Sequence, residues 1–254
     1  MQVRPFLLLA CGALALAAVT GASATATAGR ASCGAGAGAD ANGYTYAGHQ
    51  AAERGHGVRA TITALRAPQV TAGHVAAWVG LGGPGQGPNG EDAWIQAGIA
   101  SVPGVDPFMY AEVMRGGEPN LMIIEEGVAP GRSHSFAVLE MGSRPGFWRV
   151  WVDGQAVTEP IRLRGSSGRW SPIATTESWD GGEASCNSFG FRFERVSVSY
   201  GGGGSWRPFV SGHRFLDSGY RLRDLAAAPA EAGMYARTVS ARSPLPYAFL
   251  ASSS

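Results

Sequence analysis

The feature of the sequence that most limits its fold is a series of short segments rich in β-branched and aromatic residues. Several alternate apolar and polar side chains, and each is bounded by Gly, Pro or Asn, as is typical of β-strands in sheets with one buried face. These segments are residues 58–65, 74–81, 108–114, 121–126, 133–141, 149–152 and 191–200. A further strand is expected over residues 173–179. The sequence therefore predicts an all-β protein.

One hairpin and two possible helices can be located in the sequence. In "FWRVWVDGQAV" the pair Asp153-Gly154 suits the positive φ angles of a tight type I′ turn. Helix is conceivable only over residues 49–55 and over residues 224–233, where Pro229 interrupts the pattern. Helices are therefore not needed for the fold.

Regularly spaced strands with so little helix favour two packed antiparallel sheets, at a length of 254 residues that one sandwich commonly reaches. The run "GGGG" at 201–204 is interpreted as a loop and not as an interdomain linker, because the residues after it are too few for a second core. We expect one sandwich domain over residues 44–254.

The N-terminal residues have the pattern of a secretory signal peptide. Arg4 precedes an apolar run from Phe6 to Val19, and small residues then offer A-x-A cleavage sites, so residues 1–28 are assigned to the signal. The apolar run is short for a membrane span, and no later segment is as hydrophobic. We expect a secreted mature chain outside the membrane, with residues 29–43 as a flexible arm.

The cysteines and the charge bear on the compartment and on possible partners. Removing the signal removes Cys11 and leaves Cys33 and Cys186, which in an oxidising compartment are expected to form one disulfide. The formal net charge of +1 provides no excess field for nucleic acid or an anionic membrane. Neither partner is expected.

Several familiar chemical motifs are absent or spurious. Gly80, Gly82 and Gly85 match G-x-G-x-x-G, but Pro84 and Pro88 continue a loop where a dinucleotide site needs a helix. No G-x-S-x-G, H-E-x-x-H or P-loop motif occurs. The sequence thus lacks the usual hydrolase signatures.

Metal ligands and histidine chemistry are not indicated either. The histidines lack ligand spacing and are expected at the surface or at strand ends; they are His49, His56, His74, His134 and His213. The acidic turns 89–92 and 180–183 resemble ordinary turns more than calcium sites. We expect no metal and no cofactor.

Two polar residues in apolar strands stand out as candidates for chemistry. In "WIQAG", Trp94 and Gln96 lie on one face, and in "TTESW", Glu177 and Trp179 do the same. A carboxyl beside an indole is partly shielded from water, which suits a general acid or base. The alternative interpretation is that both residues simply lie on a solvated face.

The order of motifs along the chain resembles the eqolisin family, the glutamic endopeptidases. "WIQAG" (94–98) is similar to the L/I-Q-T/A-G motif that carries the catalytic glutamine, and "TTESW" (175–179) takes the place of A-E-W-I-V-E, which carries the catalytic glutamate. The other similar stretches are "AAWVGLGG" (76–83), "YAEVM" (110–114), "PGRSHSFAV" (130–138), "WRVWV" (148–152) and "NSFGFRFERVSV" (187–198).

The resemblance implies a concanavalin A-like jelly roll and an acid-active endopeptidase that acts on polypeptides. We expect a monomer. Glu177 would be the general base that activates water, and the Gln96 amide would donate to the developing oxyanion. Substrate-binding positions implied by the same motifs are Trp78, Trp94, Tyr110, Glu112 and Trp179.

The chain departs from the family pattern at three places. Ser178 replaces the tryptophan that directly follows the glutamate, and Trp179 comes one residue later. The family's I-V-E is replaced by "DGG", and Gly82 stands where fungal members have an acidic residue.

Two non-catalytic alternatives remain open. A lectin-like module would bind glycan or peptide on a face formed by Trp94, Trp148, Trp151 and Trp179, with Gln96 as an ordinary hydrogen-bonding residue. A cell-envelope structural protein without a ligand is the other. A peptidase, in contrast, needs Gln96 and Glu177 on one face with room for water.

Overall fold

The computed structural model describes residues 43–179, 187–209, 212–226 and 248–253. The predicted signal peptide, nearly all of the predicted arm, and the predicted Cys33–Cys186 bridge lie outside the described residues. Within them, no helix is long and apolar enough to cross a membrane.

Sixteen strands and no helices make up the secondary structure of the described residues. They are β1 Tyr44–Ala51, β2 Gly57–Ala64, β3 His74–Gly83, β4 Ala93–Ser101, β5 Phe108–Arg115, β6 Glu118–Glu126, β7 Ser133–Glu140, β8 Phe147–Val152, β9 Gln155–Ala156, β10 Ile161–Arg162, β11 Pro172–Trp179, β12 Gly190–Ser199, β13 Trp206–Pro208, β14 Gly212–Leu216, β15 Tyr220–Ala226 and β16 Ala248–Ser253.

The strands form two antiparallel sheets. In the described part of the chain, the first sheet has seven strands in the order β14-β1-β11-β3-β4-β5-β6. The second has nine, with β10-β8-β7-β2-β12-β16-β15 as its main path, β13 beside β12 and β9 beside β8. The predicted all-β sandwich, a concanavalin A-like jelly roll, is confirmed.

The core lies between the two sheets because each strand buries alternate residues. In β2, Val58 and Ile62 are fully buried whereas Arg59 between them is partly exposed. The largest buried side chains of the first sheet are Leu81, Ile95 and Ile99, and those of the second are Phe136, Trp148, Phe191, Phe193 and Phe249. Burial of each such side chain contributes about 1.5–3 kcal/mol to folding.

The local predictions have mixed outcomes. Asp153 and Gly154 have φ angles of 49° and 81° and join β8 to β9, so the tight turn is confirmed. The possible helix at 49–55 is wrong, because residues 49–51 end β1 and pair with β11 and β14. Pairing on both edges of β1 outweighs the high helical propensity of its alanines. Residues 224–226 belong to β15, and residues 227–233 lie outside the described residues.

The glycine run and the C-terminal segments join the same two sheets. Residues 201–204 form the turn between β12 and β13, and the Gly203 amide donates to the Glu140 carbonyl at 3.0 Å. Strand β14 pairs with β1 in the first sheet, whereas β15 and β16 extend the second sheet from β12. The loop interpretation of "GGGG" therefore agrees with the structure.

Candidate active site

The candidate residues lie on the face of the first sheet that points away from the core. In β3, Val75, Ala77 and Val79 point inward, so Ala76, Trp78 and Gly80 point outward. Glu177 in β11 pairs with Ala76, and Gln96 in β4 pairs with Gly80. Both candidates therefore share the outward face, and Trp78 occupies the position between them.

A cavity of about 620 Å³ opens on this face, and both Gln96 and Glu177 line it. The predicted positions Trp78, Trp94 and Glu112 also line the cavity. Its other walls are formed by Tyr44, Tyr46, His74, Leu81, Gly82, Gly83, Pro84, Asp92, Ile173, Thr175, Phe215 and Asp217. The structure thus brings the two motifs of the sequence into one cavity.

Two glycines allow strands β3 and β4 to lie close together in the first sheet. A Cβ atom at Gly80 would lie 2.8 Å from the Gln96 Cβ, and one at Gly98 would collide with the Ala77 carbonyl oxygen. Glycine is therefore required at both positions for the strands to approach as they do. Gly80, one of the glycines of the G-x-G-x-x-G match, lies within β3 and leaves space for Gln96.

The Glu177 carboxylate is held by two neighbouring side chains. His74 Nε2 lies 2.7 Å from Oε1, and Trp78 Nε1 donates to Oε2 at 3.2 Å. Glu177 is only 6% exposed, so these hydrogen bonds replace much of its hydration. Each oxygen keeps further acceptor capacity for a water or a substrate proton.

His74 itself is supported by aromatic rings. Trp179 pairs with His74 across β3 and β11, and their rings stack with centroids 5.5 Å apart. The rings of Tyr44 and His74 pack edge to face, with their centroids 6.0 Å apart. These contacts fix the ring that contacts Glu177.

His74 was missed as a site residue by the sequence analysis, which placed all histidines at the surface or at strand ends. His74 does begin β3, but it also lies on the same face as Trp78, four residues later. Only the β3–β11 register brings it to Glu177. The expectation is wrong for His49, which lies inside β1 and is 1% exposed.

The Gln96 amide is oriented by two partners on β5. Its Nε2 donates to the Tyr110 hydroxyl at 3.3 Å and to Glu112 Oε2 at 3.2 Å. Tyr110 is 3% exposed and lies outside the cavity lining, so it supports Gln96 from the adjacent strand β5. Burial above all, and then the charges of Glu177 and Glu112, raise the pKa of Tyr110 well above its usual value. Tyr110 therefore remains a neutral hydroxyl.

Glu112 is the second carboxyl group of the cavity and is more easily protonated than an ordinary glutamate. Burial is the main cause that raises the pKa of Glu112, and the negative charge of Glu177 adds to it. The charge of His74 and hydrogen bonds from Trp94 and Gln96 act in the opposite direction. Two carboxyl groups in one cavity with different environments are suited to different protonation states.

In the described part of the chain, the cavity wall carries two further carboxylates and no arginine. Asp92 accepts the Gly85 amide at 2.9 Å, and Asp217 accepts the Tyr46 amide at 2.8 Å. Among the described residues, no group of three or more His, Cys, Asp or Glu side chains is placed to hold a metal ion. The charge of the cavity is thus predominantly negative.

The tryptophan face considered for a lectin-like module does not form. Trp148 is fully buried in the core of the second sheet, where it stacks on Trp170. Trp151 follows in the same strand, β8, whereas Trp94 and Trp179 belong to the first sheet. The four indoles therefore cannot line one surface, because they come from both layers of the sandwich. Of the four, Trp94 alone lines the cavity, and Trp179 packs behind His74.

Comparison with solved structures identifies the fold. A crystal structure of scytalido-glutamic peptidase with a peptide-based transition state analog superposes with a TM-score of 0.51 and 15% sequence identity, covering 82% of this chain and 98% of that chain. The chain has the fold of scytalido-glutamic peptidase. A second structure of that enzyme, with a transition state analog inhibitor, gives a TM-score of 0.50 at 13% identity and the same coverage.

SCP-B, a member of the Eqolisin family of peptidases in a complex with the tripeptide Ala-Ile-His, gives a TM-score of 0.46 at 16% identity, covering 82% of this chain and 96% of that chain. No family model and no curated protein matches the sequence. The fold that the motif order implied is therefore confirmed by structure alone, and the chemistry depends on the geometry of the site.

Proposed function

We propose that this protein is an exported glutamic endopeptidase that uses Glu177 and Gln96. The observation that carries the proposal is that Glu177, held by His74 and Trp78, lines the same cavity as Gln96. A fold shared with scytalido-glutamic peptidase supports the proposal. The secretory pattern of the first 28 residues supports the proposed export.

In the proposed reaction, Glu177 is the general base. It takes a proton from a water molecule while the water oxygen bonds to the peptide carbonyl carbon, and the carbonyl oxygen becomes an oxyanion. Glu177 then gives the proton to the amide nitrogen, the C–N bond breaks, and a carboxylic acid and an amine leave. His74 and Trp78 position the carboxylate and do not exchange the reacting proton.

Gln96 supplies the donor for the oxyanion in this proposal. Its two amide N–H groups contact Tyr110 and Glu112 in the free protein. A protonated Glu112 is a weaker acceptor than a carboxylate, so protonation lets one N–H turn to the substrate oxygen. A neutral donor aimed at developing charge contributes about 3–4 kcal/mol of transition-state stabilisation.

The walls of the cavity indicate which peptides it accepts. Asp92 and Asp217 provide negative charge, while Tyr46 and Trp94 provide aromatic surface. Basic side chains are attracted by the carboxylates and can also pack on the aromatic rings. We therefore propose polypeptides with basic or aromatic side chains near the cleaved bond as substrates.

The test is hydrolysis of a denatured protein across roughly pH 2–7, the range in which carboxyl groups titrate. Purified mature protein is compared with Glu177→Gln, which keeps the shape but removes the base. Glu126→Gln is the matched control, since Glu126 is exposed on β6 and outside the cavity. Cleavage by the wild type and the control, and its loss in Glu177→Gln, is the expected result.

A glycan-binding module is the second candidate, favoured by the five aromatic residues Tyr44, Tyr46, Trp78, Trp94 and Phe215 in the cavity wall. It predicts no cleavage at any pH by a folded wild type. It also predicts binding of an oligosaccharide that weakens in Trp94→Ala and is unchanged in Glu177→Gln. The two candidates thus make different predictions: a peptidase loses cleavage in Glu177→Gln, whereas a glycan-binding module loses oligosaccharide binding in Trp94→Ala.

A further inference from the structure

A second cavity, of about 420 Å³, lies at the edge of the second sheet, and its lining shares no residue with that of the candidate active site. It is formed by the turn before β8 and by the loop that follows β10. Three arginines and a serine contribute to its wall, and no acidic residue of the described part of the chain does. These residues are Arg162, Arg164, Arg169 and Ser167, together with Pro145, Gly146, Leu163 and Gly165.

The loop of residues 163–170, "LRGSSGRW", is anchored by its buried members. Leu163, Ser166 and Trp170 are at most 1% exposed. The Ser166 hydroxyl accepts from Trp148 Nε1 at 2.7 Å and donates to the Leu163 carbonyl at 2.8 Å. The loop is therefore held in one conformation by the core, and the residues between the anchors are presented to solvent.

The outward part of this loop carries backbone N–H donors. Gly165 and Gly168 have φ angles of 70° and 58°, a conformation that lets successive N–H groups face one side. Within the described residues, no protein acceptor bonds the amides of Arg164, Gly165 and Ser167. Such a row of backbone donors is suited to an anion.

Among the described residues, no carboxylate lies within ion-pair distance of the arginines around the cavity. The Arg162 guanidinium lies 5.9 Å from the centroid of the Phe147 ring, and the Arg144 guanidinium lies 3.8 Å from the same centroid, so two positive charges lie near one ring. In the part of the chain that the structure describes, Arg192 has a carboxylate within 4.0 Å, and Arg192 lies outside this cavity. Glu140, which accepts the Gly146 amide, is 1% exposed and also pairs with His56.

We propose that this cavity is a binding site for a tetrahedral oxyanion, a phosphate or sulfate group. Like charges gathered on a rigid loop repel one another, and an anion removes that repulsion. Guanidinium groups bind such oxyanions through two parallel hydrogen bonds, and the loop amides add further donors. The group is either a free ion or an ester on a larger molecule such as a sulfated oligosaccharide. The site is independent of the proposed peptidase function.

The experiment is calorimetric titration of the full mature chain at low ionic strength. One arm uses inorganic sulfate, a second uses inorganic phosphate, and a third uses a sulfated oligosaccharide. The variant is Arg164→Gln with Arg169→Gln, two exposed positions outside the candidate active site. Arg132→Gln, an exposed arginine in the turn before β7, is the matched control.

The expected result is saturable binding by the wild type and by Arg132→Gln, weakened about tenfold or more in the double variant. Tighter binding of the oligosaccharide than of either free ion identifies an ester group as the natural ligand, and the reverse identifies a free ion. Equal affinity of the double variant and the wild type in all arms, or no saturable binding at all, overturns the proposal. An unchanged thermal unfolding midpoint of the double variant confirms that folding is intact.

Discussion

The imidazole of His74 lies 2.7 Å from the Glu177 carboxylate and stacks on Trp179. This relationship accounts for a departure from the eqolisin pattern, in which a tryptophan directly follows the glutamate. Here Ser178 takes that place, points to the other face of β11 and accepts from Asn187 Nδ2 at 3.0 Å. Trp179, one residue later, shares the face of Glu177 and supports it through His74.

His74 is expected to act as a positioning residue for Glu177. In His74→Ala the carboxylate loses its nearest donor, so kcat should fall about tenfold or more while KM changes little. His74→Gln retains an N–H donor and should recover part of kcat. Steady-state kinetics of both variants on one peptide decide this. A wild-type kcat in His74→Ala would show that Trp78 alone orients Glu177.

Gln96→Ala should lower kcat by about 10²–10³-fold, because it removes the donor to the oxyanion. The binding of uncleaved substrate should change less than kcat, since the interaction forms mainly in the transition state. Single-turnover cleavage, with circular dichroism to confirm folding, measures the effect. An unchanged rate would assign Gln96 to the structure of the sheet alone.

Glu112 should make stability depend on pH. Its pKa is raised in the folded state from the ordinary value of 4.5, mainly by burial. A raised pKa contributes stability that is full below pH 4.5 and is lost as pH rises through the folded-state value. The free energy of unfolding of the wild type should therefore fall relative to Glu112→Gln as pH rises. Urea unfolding of both proteins between about pH 4 and pH 8 measures this difference; a constant difference would contradict the assigned pKa shift.

Gly80→Ala should destabilise the protein by about 1–3 kcal/mol and impair cleavage. The added Cβ would lie 2.8 Å from both the Gln96 Cβ and the Ile95 carbonyl oxygen, so β3 and β4 must separate. Gly190→Ala in β12, outside the candidate active site, is the control, since the nearest atom to its added Cβ is 3.8 Å away. Thermal unfolding and peptide cleavage of the two variants provide the comparison, and equal behaviour would show that the sheet adapts without cost.

Much of the fold and part of the site could be predicted from local patterns. Alternation placed Gln96 with Trp94 on one face of β4, and Glu177 with Trp179 on one face of β11, because side chains in a strand repeat with period two. The turn at Asp153-Gly154 followed from the backbone preference of glycine. In contrast, the four-tryptophan face was wrong because sequence alone does not assign each strand to a sheet.

The sequence by itself determined the β-strands, the tight turn, and the order of motifs that resembles the eqolisins, since these depend on residues close together in the chain. Tertiary structure alone decided that His74 meets Glu177, 103 residues away, and that Glu112 and Tyr110 hold Gln96. It also decided which arginines surround the second cavity. These relationships depend on strand register and on the pairing of β11 with β3, which are set by the burial of both sheets together and not by any local run of residues.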